Sequence, residues 1–71
     1  MIKTEEAQDL MIDCLLEMNL PKENVTAIAT MLQSQKQMNT MLDWIKKHAK
    51  ENPSKLQVML VAKNIKEGVQ D

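Results

Sequence analysis

Apolar residues recur along most of this chain at three- and four-residue steps, the period that places side chains on one side of an α-helix. Ala7, Leu10, Met11, Cys14, Leu15 and Met18 form the most complete series, with Glu6, Asp9, Asp13 and Glu17 on the opposite stripe. Ile12 and Leu16 widen the apolar side, which points to more than one neighbour. Thr4 is placed to cap this first helix, with Glu5 and Glu6 in the first turn, where the helix dipole favours negative charge. Asn19 suits its end, because asparagine tolerates the left-handed conformation that closes helices. Pro21 follows, unable to extend the ladder but suited to opening the next helix.

The second series, Val25, Ile28, Ala29 and Leu32, is short and of weak helix propensity, so this segment depends on tertiary contacts. Ser34 and Gln37 have capping-box spacing. They open a third helix with Met38, Met41, Leu42, Ile45 and Ala49 inward and Trp44 on the flank. Lys46, Lys47, His48 and Lys50 gather at its end, and Asn52-Pro53 stops it. Ser54 and Gln57 repeat the box spacing ahead of a fourth helix, with Val58, Val61, Ala62, Ile65 and Val69 on one face and Gly68 as a stop. Leu56 and Leu60 point nearly opposite that face, and Met59 lies at its margin. A strand over Leu56 to Val61 would have no partner to pair with.

The pattern therefore predicts an all-α fold, a compact bundle of four helices over about 5–18, 21–32, 35–50 and 55–67, the second one short. The 71 residues make a single domain of modest stability. Between Met1 and Glu67 there is no glycine, and Pro21 and Pro53 are the only prolines. Trp44 is the one aromatic residue, so the interior is aliphatic and rich in the seven methionines, which fill irregular gaps. The longest apolar run, Val58 to Ala62, is far short of the roughly 18 residues of a membrane span.

Charge is balanced overall at −1 but divided along the chain. From Glu5 to Met18 there are five acids and no base; from Lys36 to Glu67 there are seven lysines against three acids. An acidic first helix and a basic second half attract one another, within one bundle or across a dimer. Cys14 stands alone, so an intrachain disulfide is impossible and a reducing cytoplasm fits the chain. The opening Met-Ile-Lys-Thr-Glu-Glu has no basic stretch ahead of an apolar core, the mark of an export signal. The expected location is cytoplasmic.

Candidate chemistry is sparse. Cys14 and His48 are the only soft ligands or nucleophile candidates, short of the four that structural zinc takes and of a catalytic cysteine with base and orienting partner. Cys14 on the apolar stripe reads as packing, and His48 among lysines reads as a solvated or capping residue. The acids of the first helix share one outer stripe instead of facing across a cleft. There is no calcium loop and no glycine-rich phosphate cradle. No catalytic residue, cofactor site or metal site is assigned, and an enzyme is not expected.

A helix-turn-helix reading of Ile28 to Ile45 is the rival to a plain bundle. Gln35, Lys36, Gln37 and Asn39 could touch bases, but the turn Leu32-Gln33-Ser34 lacks glycine and the chain has no arginine to read guanine. A small DNA-binding regulator is the alternative; nucleic acid is the weaker partner class. A membrane-surface role is disfavoured because apolar residues encircle the fourth helix. The preferred reading is a non-enzymatic protein-interaction module, self-associating as a homodimer or taking a partner helix through an apolar patch. Met31, Trp44, Leu56, Met59 and Leu60 lie off the main stripes and form the candidate surface. The competing reading buries all five, since four short helices need wide apolar faces.

The segments Asn19-Leu20-Pro21-Lys22-Glu23-Asn24-Val25, Ile28-Ala29, Met41-Leu42-Asp43-Trp44-Ile45 and Glu51-Asn52-Pro53 resemble short, uncharacterised helical proteins of gut-type and related low-GC bacteria and their mobile elements. The resemblance covers about Leu10 to Ala62 and rests on caps and core positions. It implies a compact, cytoplasmic, bacterial helical domain and carries no activity. Ser54-Lys55-Leu56-Gln57 departs from the acidic helix start of that pattern.

Overall fold

A computed structural model describes residues 4–68. The side chains of Thr4 and Glu5 and residues 69–71 lie outside the described set, and with them the expected Thr4 cap and the inward Val69. The fold is all-α: α1 (Thr4–Glu17), α2 (Lys22–Met31), α3 (Gln35–His48) and α4 (Lys55–Lys66), with a 3₁₀ turn at Ala49–Glu51. There is no strand among the described residues, and Leu56 to Val61 is helical.

The helix boundaries follow from local chemistry. Asn19 ends α1 with φ 65, its N–H donating to the Leu16 carbonyl at 3.0 Å, as a left-handed asparagine should. Pro21 sits at the N-cap of α2 without a side-chain cap, and its carbonyl accepts from the N–H groups of Asn24 and Val25 at 3.0 and 3.1 Å. At α3 the capping box is complete: Ser34 Oγ accepts from Gln37 N–H at 3.1 Å, and Gln37 Oε1 accepts from Ser34 N–H at 3.2 Å. At α4 only half of that motif forms, with Ser54 Oγ accepting from Gln57 N–H at 3.1 Å. The third helix is shorter than its apolar series implies. Its last turn tightens into the 3₁₀ segment, which a second left-handed asparagine, Asn52 at φ 50, brings to an end before Pro53.

Because Ser34 satisfies an orphan helix N–H in a reciprocal pair, Ser34→Ala should lower stability by about 1 kcal/mol. Urea unfolding followed by circular dichroism measures it; an unchanged midpoint would mean that solvent serves the helix end equally well.

The core follows the stripes. Ala7, Met11 and Leu15 of α1 are buried together with Val25, Ile28 and Ala29 of α2. Met38, Met41, Leu42 and Ile45 of α3 and Val58 and Ala62 of α4 complete the interior with Leu20 and Leu32 from the connections. Three methionines, Met11, Met38 and Met41, are among its largest fully buried side chains, so the interior is aliphatic and methionine-rich as composition implied. Its radius of gyration is 10.9 Å, against about 11 Å for a compact chain of this length.

The helices touch in a ring. α1 packs on α2 and α3, and α4 packs on the same two; α1 and α4 do not meet, nor do α2 and α3. Leu10 departs from its expected inward position and is 43% exposed. The i, i+4 line Ala7-Met11-Leu15 takes the centre of the buried stripe, and Leu10 stands about 100° from Met11 around the helix, beyond the reach of two neighbours. Ala49, Val61 and Ile65, also expected inward, are half-buried at the edges of the core.

Candidate interaction surface

The five off-stripe residues divide into two groups. Met31, Trp44 and Met59 are half-buried and pack against the core, as the interior reading of the wide apolar faces required. Leu56 and Leu60 are open, 70% and 52% exposed. One helical turn apart, they form an apolar pair on the face of α4 directed away from Val58 and Ala62. Met59 borders the pair, and Lys63 falls about 20° from Leu56 around the helix, so the leucines sit beside a basic edge.

Trp44 is engaged differently. Its ring lies 4.8 Å from that of His48, centroid to centroid, with an interplanar angle of 31°. His48 Nδ1 in turn lies 3.2 Å from Glu51 Oε1. This i, i+3 contact is partly exposed and fastens the 3₁₀ turn to the end of α3. His48 is therefore a local tether with a solvent-facing edge, in keeping with its place at a helix end.

Two further exposed leucines, outside the expected surface, lie on α1. Leu10 and Leu16 of α1 are 43% and 45% exposed. Leu16 was readable as widening the apolar side, but its position, about 20° from Asp9 around the helix, places it on the charged face. Its helical angle carries the signal; its hydrophobicity hides it.

Among the described residues, open grooves flank the helices. One, of about 530 Å³, lies where the end of α1 meets the end of α3 and is lined by Cys14, Glu17, Met18, Ile45, Lys46 and Pro53. Another, of about 380 Å³, lies between the start of α3 and the end of α4, beside Gln37, Thr40 and Lys66. Cys14 is only half-buried at the first groove, so its expected packing role holds for part of its surface. Burial chiefly, and then the carboxylates of Glu17 and Asp13, push the thiol above its ordinary value of 9.0, with Lys46 opposing them.

A thiol held protonated is a poor nucleophile. Iodoacetamide at pH 8 should therefore label Cys14 more slowly in the native chain than in the urea-unfolded one. Equal rates would show that neither burial nor the acids restrain it. The same shift makes the fold favour the protonated thiol, so the contribution of Cys14 to stability is intact below 9.0 and is lost as pH rises from 9.0 through the raised native value.

Among the described residues no three of His, Cys, Asp and Glu gather to hold a metal ion, and no helix is long and apolar enough to cross a membrane. Comparison with known protein families, curated proteins and solved structures gives no match. The surface itself must supply the reading.

Proposed function

We propose that this chain is a non-enzymatic protein-interaction module of the cytoplasm, acting through the outward face of α4. The observation that carries the reading is the exposure of Leu56 and Leu60, an adjacent apolar pair on a helix that already buries Val58 and Ala62 on its other side. Scattered exposed leucines are ordinary, but a pair at i, i+4 with a half-buried methionine beside it matches the spacing by which one helix docks on another. The modest extent of the patch suits a transient contact better than an obligate one.

The DNA-binding alternative gains nothing from the packing. A helix-turn-helix pair needs its two helices in contact, whereas α2 and α3 do not meet. Gln37, one of the candidate base-reading residues, is committed to the capping box.

The test is capture from the native cytoplasm on immobilised chain, comparing wild type, Leu60→Glu and the control Glu23→Lys, which alters an exposed residue of α2. Specific partners, copies of the chain included, should be held by wild type and control and lost from Leu60→Glu, with circular dichroism showing all three helical. Identical captures from all three would remove α4 as the acting surface.

A further inference from the structure

The two helices that expose leucines carry opposite charge. On α1, the outer stripe holds Glu6, Asp9, Asp13 and Glu17, all of them exposed. Leu10 lies about 20° around the helix from Glu17 and Leu16 about 20° from Asp9, so the two exposed leucines flank the acidic stripe on opposite sides, about 120° apart. On α4, Lys55, Lys63 and Lys66 are exposed on the side of Leu56 and Met59. Glu6 to Glu17 and Lys55 to Lys66 each span eleven residue steps, about 16 Å of helix. Among the described residues none of these acids or lysines forms an ion pair.

The fold keeps these complementary faces apart. α1 and α4 occupy opposite positions in the ring and do not touch, so the acidic face of a chain cannot cover the basic face of that same chain. We propose that the outer face of α1 in one copy docks on the outer face of α4 in a second copy, Leu16 meeting Leu56 and Leu60 with the neighbouring acids beside the lysines. This rests on the reading of α4 as the acting surface and names its partner.

Symmetry then decides the form of the assembly. A two-fold dimer through either face would bring α1 against α1 or α4 against α4, like charge on like charge. The α1–α4 junction is heterologous and leaves a free α1 at one end and a free α4 at the other, so copies add head to tail until a ring closes or dissociation intervenes. With three leucines and no aromatic anchor, each junction is weak, its dissociation constant between about 1 μM and 1 mM.

Sedimentation velocity of the full chain over that concentration range, at low salt and at about 1 M salt, tests the proposal. The wild type should grow steadily past the dimer as concentration rises, and its association should weaken several-fold at high salt. Leu16→Glu and Leu60→Glu should each remain monomeric. An equimolar mixture of the two variants should form a heterodimer and stop there, because one retains its α4 face, the other its α1 face, and the remaining faces both carry an added acid. Circular dichroism checks the fold of each variant, and Leu16→Gln and Leu60→Gln replace either one that unfolds.

A strictly monomeric wild type, association indifferent to salt, a mixture that stays monomeric, or a dimer that persists in Leu16→Glu would each overturn head-to-tail docking. A monomeric wild type that still captures a foreign protein in a Leu60-dependent manner would overturn this proposal alone. Loss of Leu60-dependent capture altogether would overturn the reading beneath it.

Discussion

Ile28→Ala is expected to lower the stability of this chain by about 2–5 kcal/mol, a large share of what a 71-residue domain possesses. At about 0.05–0.15 kcal/mol per residue the whole fold is worth about 4–10 kcal/mol. Ile28 is fully buried on the short helix α2, which packs against both α1 and α4, so a cavity there removes contacts with two neighbours. Alanine is the better helix former, but that gain is a few tenths of a kcal/mol and does not offset the cavity. The thermal midpoint should fall by at least about 10 °C. A fall no greater than that of an exposed leucine variant would mean that α2 is not part of the cooperative unit.

Val58→Asp should be equally damaging for a different reason. Val58 and Ala62 are the fully buried residues of α4, so a carboxylate at 58 enters an interior with no buried polar partner. A buried charge without compensation costs about 3–5 kcal/mol. The ring of contacts makes the loss global. α2 and α3 do not pack on each other and each rests on α1 and α4, so releasing α4 leaves both with a single partner helix. Far-UV circular dichroism should show loss of helix well beyond the twelve residues of α4. Loss confined to about that fraction of the signal would show that the first three helices fold without it.

Much of this architecture is legible in the residues. The stops at Asn19 and Asn52, the Ser34 cap and the stripes of α2 and α3 are local chemistry, determined within a few residues, and they appear where that chemistry places them. What is not local is which side of a wide apolar helix meets a neighbour. Leu10 and Met11 are equally apolar, and only the positions of α2 and α3 decide that Met11 is interior and Leu10 is not. The same uncertainty governed the five candidate surface residues. Met31, Trp44 and Met59 stand at the margins of their stripes and are drawn partly into the core, whereas Leu56 and Leu60 stand opposite theirs and remain outside. Angular distance from the buried centre separates the two groups, a quantity that hydrophobicity alone does not contain.

The charge division is likewise visible in the chain, but its consequence depends on topology. An acidic first helix and basic later segments could have met within one bundle. The ring arrangement realises this in part: α1 packs on α3, with Glu17 and Lys46 lining one groove, whereas α1 and α4 stay apart.

The central claim is that Leu56 and Leu60 contribute to recognition and not to the fold. Urea unfolding of the double variant Leu56→Gln/Leu60→Gln, at a concentration where the wild type is monomeric, tests it most directly. Glutamine and leucine have similar helix propensity, and both leucines face solvent, so stability should stay within about 0.5 kcal/mol of wild type. A loss of about 2 kcal/mol or more, the scale of a core truncation, would place these leucines in the interior and contradict the account.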